Sequence, residues 1–298
     1  MKAVQFNSFG GPEVLEIVDI DVPHPGRGEV AIQVTSAGIN QLDTKIRSGG
    51  MPTGRPASFP MGTGIDAAGT VVDVGLGVDD VAVGDLVFGT GRNTMAEQAI
   101  LTQWAKVPHG VDPVEAGGWG VATETAGRLL TELGLEKGTL LISGASGGVG
   151  SAVIQFAIGR GLTVIGTASE KNHGYLARLG AVPIAYGERL VERVLAVAPE
   201  GIDGALDISG AGVIGDLVTI VGDPSKVISI ADFTAPTLGV RVSTGTTRIT
   251  EPRDGFAEAL ALPHFALEIE RRFSFDEIAI AHQHAQNGHT VGKLVVIP

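Results

Sequence analysis

Residues Glu29–Ser36 read Glu-Val-Ala-Ile-Gln-Val-Thr-Ser, an alternation of polar and apolar side chains with the period of a half-buried strand. Thr70–Val74 and Asp85–Phe88 are further β-branched runs, set apart by Gly75, Gly77 and Gly84. Residues 49–64 carry glycine and proline without periodicity and read as a long loop. The chain up to residue 115 is therefore expected to be β-rich.

The pattern changes near Val114. Pro113 followed by Glu115 suits a helix start, and Trp119–Leu133 carries helical apolar spacing. Short apolar runs follow at Thr139–Ser143, Leu162–Thr167, Val182–Ala185, Gly204–Ile208 and Lys226–Ile230. Helical patterns separate them at Val149–Gly159, Lys171–Leu179, Leu190–Val197 and Ala211–Ile220. Strands alternating with helices predict βαβ units and a parallel sheet. The last stretch returns to mixed content and ends in a strand at Lys293–Ile297.

Composition narrows the class. A chain of 298 residues is long enough for about two domains. Lys+Arg 21 against Asp+Glu 33 leaves −12, the wrong sign for a binder of phosphate backbones. With Cys 0 there are no disulfides, no cysteine nucleophile and no thiolate metal ligand. Gly 44 is about twice average usage and signals many tight turns or close backbone approaches. The N-terminal stretch lacks the apolar core of a signal peptide. Residues 138–159 are uncharged, but Gly144–Gly150 in their middle makes a strand, a glycine turn and a helix a better reading than a membrane span. A cytoplasmic protein is expected.

The turn Ala145-Ser-Gly-Gly-Val-Gly150 follows a strand and opens a helix. Gly147 and Gly150 stand where G-x-G-x-x-G places its second and third glycines, with Ala145 in the first place. Missing side chains there let backbone approach a pyrophosphate and aim a helix N-terminus, Gly148 and Val149 included, at negative charge. The same residues spell Gly144-Ala-Ser146-Gly-Gly148, the G-x-S-x-G of a serine nucleophile elbow, with His264, His282, His284 and His289 downstream. The β-rich start argues against that second reading, and a glycine turn that binds nothing is the third. The second strand runs into Ala168-Ser169-Glu170-Lys171, with no carboxylate at Ala168 to take a ribose 2′-hydroxyl. Ser169 and Lys171 are suited to a 2′-phosphate instead, so NADPH is expected over NADH.

Taken together, the motifs resemble the medium-chain dehydrogenase/reductase superfamily, in its zinc-free quinone oxidoreductase (zeta-crystallin-like) branch. The resemblance rests on Ala37-Gly-Ile-Asn40-Gln-Leu-Asp43-Thr-Lys-Ile-Arg47, Gly64-Ile-Asp66-Ala-Ala-Gly69, Gly84-Asp85, Thr125-Ala126 opening the helix before the cofactor domain, Ala145–Gly150, and Gly292-Lys293-Leu-Val. It implies an α/β fold: a β-rich GroES-like catalytic domain over 1–115 and 250–298, and a Rossmann NADP(H)-binding domain over 116–249. In the zinc-dependent relatives Cys, then His-Glu, surround the metal. Here Asn40 stands at the Cys position and Ile65-Asp66 replaces His-Glu, so no metal is expected. His282, His284 and His289 are expected to be ordinary surface residues.

Without a Lewis acid the substrate must already be electrophilic, and quinones and α,β-unsaturated carbonyls fit. The resemblance places Asn40 nearest the nicotinamide, with Asp43 in the same catalytic signature and more suited to orienting its loop. It assigns Thr125, Tyr186, Ser209, Ile230, Phe233 and Lys293 to the cofactor as well, Tyr186 over the phosphate-bearing end and the loops at Ser209-Gly210 and Ile230–Phe233 on the nicotinamide side. One departure is Lys45, where many relatives carry tyrosine; a tyrosine proton donor cannot be carried over. The expected protein is a homodimeric NADPH-dependent quinone or enone reductase, with residues 232–250 as a candidate sheet edge for the dimer. A non-catalytic NADPH-binding sensor or structural protein and a serine hydrolase using Ser146 are the alternatives.

Overall fold

A computed structural model describes residues 1–51, 57–245 and 250–298. The chain folds into two units, Met1–Val121 with Ala266–Pro298, and Ala122–Phe265.

The first unit opens with β1 (Lys2–Phe6), β2 (Glu16–Asp19), β3 (Val30–Ile39), α1 (Gln41–Arg47), β4 (Met61–Gly62), β5 (Asp66–Val74), β6 (Leu86–Arg92), β7 (Gln98–Lys106) and the short α2 (Pro113–Ala116). In the second unit come α3 (Gly120–Leu133), β8 (Thr139–Ser143), α4 (Gly148–Gly159), β9 (Thr163–Ala168), α5 (His173–Arg178), β10 (Val182–Ala185), α6 (Leu190–Val197), β11 (Gly204–Asp207), α7 (Ile214–Val221), β12 (Val227–Ser229), β13 (Arg241–Val242) and α8 (Pro252–Ala261). The chain then returns to the first unit with β14 (Ile269–Ser274), α9 (Ile278–Asn287) and β15 (Lys293–Ile297).

A six-stranded sheet ordered β14-β15-β3-β5-β6-β7 dominates the first unit, and β7 pairs back onto β3. That extra pairing closes the sheet on itself, which leaves fewer free edges. The alternation at 29–36 predicted one buried face, and Gln33 and Thr35 do stay out of the core, but Ala31 and residues 36–39 are buried as well. Its inner face fills the core with Ile32 and Val34. On the other face α2 covers Ser36, whose hydroxyl donates to the carbonyls of Pro113 and Val114, each at 3.1 Å. Phe6, Leu101, Trp104, Phe273 and Ile278 join the same core. Side chains of this size contribute about 1.5–3 kcal/mol each when fully buried. The loop expected over 49–64 lies outside the described residues at 52–56, and its far end holds β4, which pairs with β1.

The second unit holds a six-stranded sheet in the order β10-β9-β8-β11-β12-β13, with every pairing parallel. Counted from β8, this is 3-2-1-4-5-6, the doubly wound dinucleotide-binding order, whose direction reverses between its first and fourth strands. Leu141, Ile165, Ala205 and Val227 form the sheet's share of the core, against Leu190, Val194 and Leu217 from α6 and α7. Two expected boundaries move. Gly210 and Gly212 take positive φ (64° and 73°), a left-handed stretch that delays the helix expected at Ala211 until Ile214. Thr125 does not open its helix: α3 begins at Gly120, so Thr125 sits in its second turn. Among the described residues no helix is long and apolar enough to cross a membrane. The uncharged stretch 138–159 is β8, the glycine turn and α4.

Candidate functional site

In the second unit, β8 delivers the glycine turn to the point where the sheet order reverses. Gly147 is the N-cap of α4 and offers no side chain to the first turn. The first intrahelical bond there runs from Ser151 N–H to the Gly147 carbonyl at 2.8 Å, so the N–H groups of Gly148, Val149 and Gly150 are the orphan donors every helix start carries. The two motif glycines serve different needs. A Cβ on Gly150 would stand 2.4 Å from the Gly144 carbonyl oxygen and 2.7 Å from Ala145 Cα, so helix and turn could not approach as they do. A Cβ on Gly147 would meet nothing nearer than 3.7 Å. The fold does not need glycine at Gly147. Ala145 is fully buried and packs its methyl against Gly166.

Most of the other residues expected at the cofactor lie on elements of this same unit. β9 ends at Ala168, followed by half-buried Ser169 and exposed Lys171. Tyr186 follows β10 and is 49% exposed. Ser209 Oγ is 2.8 Å from Ser143 Oγ, across the reversal point between β8 and β11. Buried Asp207, which sequence reading passed over, ties two loops together. Its Oδ1 accepts from Ser209 Oγ at 3.1 Å and Gly210 N–H at 3.1 Å, and its Oδ2 accepts from Ser229 Oγ at 2.8 Å. Ser229 in turn accepts from Ala231 and Asp232 N–H, which fixes the loop carrying Ile230 and exposed Phe233. A carboxylate ending an otherwise apolar, fully buried strand was the signal for Asp207. Thr125 is buried on α3 and donates to Glu124 at 3.0 Å.

Ser146 does not have the surroundings of a nucleophile. Its hydroxyl accepts a long bond from Asn172 at 3.4 Å, not from a histidine. Among the described residues the positive-φ positions other than glycine are Asn93, Arg189 and His289, so Ser146 lacks the strained backbone of an elbow.

The first unit gathers a polar cluster at the N-terminus of α1. Asn40 is the N-cap, and its backbone N–H donates to Asp43 Oδ2 at 2.8 Å. Asp43 thus closes a capping box with Asn40 at the start of α1. The Asn40 side chain donates through Nδ2 to Asp66 Oδ2 at 3.0 Å and accepts through Oδ1 from Lys293 Nζ at 2.7 Å. Lys293 Nζ also pairs with Asp66 Oδ2 at 2.8 Å, and Asp66 Oδ1 accepts from Val121 N–H at 2.6 Å. All four side chains are buried. Burial pushes the Asp43 carboxyl up to about 7, helped by the negative charge of Asp66 and opposed by the Asn40 N–H and by Lys293. Lys293, expected beside the cofactor, is thus placed with Asn40 and Asp43. Asp66 stood in a quoted motif without a role of its own; a charged residue beginning an apolar strand was the available signal.

The histidines divide. His289 is exposed and His284 pairs with Glu270 at 3.0 Å. His282 corrects the surface expectation, for it is fully buried, with Nε2 3.4 Å from Met95 Sδ. On α9 it falls one residue from Ala281 on the face packed into the core, and burial drives its imidazole down to about 3, with Arg47 adding to the effect. Among the described residues no three His, Asp or Glu side chains gather to hold a metal ion.

Two family models match the chain, the alcohol dehydrogenase GroES-like domain over residues 26–127 and the zinc-binding dehydrogenase over 179–296. The quinone oxidoreductase of Pseudomonas aeruginosa is 31% identical, covering 100% of this chain and 99% of its own length. The chloroplastic NADPH-dependent alkenal/one oxidoreductase of Arabidopsis thaliana is 29% identical over 100% of this chain and 80% of its own. A mycobacterial protein solved in complex with NADPH is 25% identical with a TM-score of 0.84, covering 100% of both chains. The chain belongs to the quinone oxidoreductase family of the medium-chain dehydrogenases/reductases.

Proposed function

We propose that the protein is an NADPH-dependent reductase that delivers hydride to quinones or α,β-unsaturated carbonyls. The observation that carries the reading is the glycine turn at the reversal point of a 3-2-1-4-5-6 sheet, where a Cβ on Gly147 would meet nothing nearer than 3.7 Å. Full-length likeness to a quinone oxidoreductase and to an NADPH-dependent alkenal/one oxidoreductase supports the acceptor class.

When bound, NADPH supplies the hydride. The chain's own groups do the rest. The N–H groups of Gly148, Val149 and Gly150 hold the pyrophosphate at the start of α4, with Ala145, Ser146 and Gly147 beneath it. Ser169 and Lys171 take the 2′-phosphate, and Tyr186 covers that end. Thr125, Ser209, Ile230 and Phe233 belong to the nicotinamide side, whereas Lys293, which the resemblance also assigns to the cofactor, is engaged with Asn40 and Asp66. Asn40 donates to the oxygen on which negative charge develops as an enolate or quinol anion forms, a stabilisation that needs no metal. Asp43 holds Asn40 in place by accepting its backbone N–H.

A homodimer and a cytoplasmic location complete the reading. β13 ends its sheet with no further strand on its outer edge among the described residues, which suits pairing with a second copy; the rest of the expected edge, at 246–249, lies outside them. NADPH oxidation against a panel of quinones and enones, set beside NADPH affinity, tests the function. Turnover on at least one acceptor is expected. Tight binding without turnover on any of them identifies a non-catalytic NADPH-binding protein, and fluorophosphonate labelling of Ser146 would identify a hydrolase.

A further inference from the structure

Three glycines stand beside the Lys293–Asp66 pair, Gly118 against the lysine stem and Gly38 and Gly120 against Asp66 as well as against backbone at Gly117 and Gly89. A Cβ on Gly118 would stand 3.1–3.2 Å from Cβ, Cγ and Cε of Lys293. On Gly38 it would lie 3.0 Å from Asp66 Oδ2, and on Gly120 2.9 Å from Asp66 Oδ1. Buried ion pairs are often replaceable by apolar side chains without loss of stability, so stability alone is a poor account of such a built pair. What the pair does to Asn40 is specific. An ammonium only donates and an ionised carboxylate only accepts. With Lys293 Nζ at 2.7 Å from one end of the Asn40 amide and Asp66 Oδ2 at 3.0 Å from the other, one orientation is satisfied at both ends. The flipped amide would set donor against donor and acceptor against acceptor.

We propose that Lys293, held by Asp66, is a positioning residue that sets the orientation of the Asn40 amide and polarises it. A cation on Oδ1 draws electron density from the amide nitrogen, against the opposite pull of the Asp66 carboxylate on Nδ2, so fixing the orientation is the larger of the two effects. The proposal rests on Asn40 being the oxyanion donor of the reductase reading.

The test measures kcat on an enone at saturating NADPH, the NADPH dissociation constant and the circular dichroism spectrum. The variants are Asn40→Ala, Lys293→Met and the two combined. Lys293→Met keeps the aliphatic stem against Gly118. It should lower kcat roughly 10- to 100-fold, with NADPH affinity within about twofold. Adding Asn40→Ala to Lys293→Met should then lower kcat little further, because both changes remove one function. Should Lys293→Met not fold, the charge-neutral Asp66→Asn/Lys293→Met takes its place with the same expectation. An NADPH affinity weakened more than about tenfold with kcat unchanged would make Lys293 a cofactor ligand and overturn the proposal. Losses that multiply in the combined variant would overturn it too, since the two residues would act independently. Unchanged kcat in Asn40→Ala alone, in a wild type that turns over, instead overturns the role of Asn40 on which the proposal stands.

Discussion

Asp43 offers a decisive titration, because its two structural roles predict opposite signs. A carboxylate capping a helix N-terminus is ordinarily held below its usual value by the N–H groups it accepts from. Asp43 accepts such a bond from Asn40, yet burial outweighs it and raises the carboxyl from 3.8 to about 7. In that window the folded state binds a proton that the unfolded chain does not. Stability contributed by the protonated group is therefore fully present below about pH 4 and is lost as pH rises toward 7. A shift of about three units at about 1.4 kcal/mol each gives a swing of about 4 kcal/mol. Asp43→Asn removes the titration and keeps an oxygen for the Asn40 N–H. The wild type should lose about 4 kcal/mol against this variant between pH 4 and pH 8. Urea unfolding followed by tryptophan fluorescence reads it, since Trp104 and Trp119 are the chain's two tryptophans and both are buried in the first unit. Comparing wild type with variant at each pH cancels His282, whose depressed value gives the opposite slope. A flat difference, or a wild type that gains on the variant as pH rises, would show that the cap governs the group and that the burial argument is wrong.

Gly150→Ala should destabilise the second unit through its clash with backbone at Gly144 and Ala145, whereas Gly147→Val should melt like wild type and lose most NADPH affinity; calorimetry and fluorescence titration separate the two. Lys171→Ala should weaken NADPH by about 1.5–3 kcal/mol, in line with a charged hydrogen bond, and leave NADH nearly untouched; equal losses for both refute the 2′-phosphate role. His282→Gln should raise stability relative to wild type as pH falls from 6.5 toward 3, because the buried imidazole must otherwise stay neutral while the unfolded chain takes up a proton. Chelator treatment should leave activity unchanged, and stoichiometric zinc lost together with activity would contradict the reading of Asn40 and Ile65.

The parallel sheet was legible because its strands are short apolar runs separated by helices, and Thr139–Ser143, Val182–Ala185 and Leu190–Val197 emerged with their expected bounds. The first unit was harder to read. β3 keeps its alternation at Gln33, which is exposed, and Thr35, which is half-buried, but is buried from Ser36 on, where α2, some 80 residues away along the chain, covers Ser36. Local pattern carries no record of such a partner. The site shows the same limit. Asn40 and Asp43 stand three apart, at capping-box spacing, and could be found together. Lys293 reaches them only through the pairing of β15 with β3, in which Val295 meets Gly38 and Leu294 meets Ile39. Asp66 arrives on β5, on the other side of β3. His282 was misjudged for a related reason: a histidine two residues from another signals nothing about which face of α9 meets the core.

The excess of glycine takes on meaning once the space around each position is known. Gly118 makes room for the Lys293 side chain, while Gly38 and Gly120 admit backbone at Gly117 and Gly89 first and Asp66 next. Gly150 serves backbone, letting α4 start against the turn that precedes it. Gly147 serves neither, since a Cβ there would touch the protein only at ordinary contact distance. In sequence these positions carry the same letter, so a glycine motif alone is compatible with a packing turn, a nucleophile elbow or a phosphate cradle. In three dimensions they separate by what a methyl group would strike. A glycine that the fold does not require, placed at a helix N-terminus where the sheet order reverses, is where the proposed pyrophosphate site has its room.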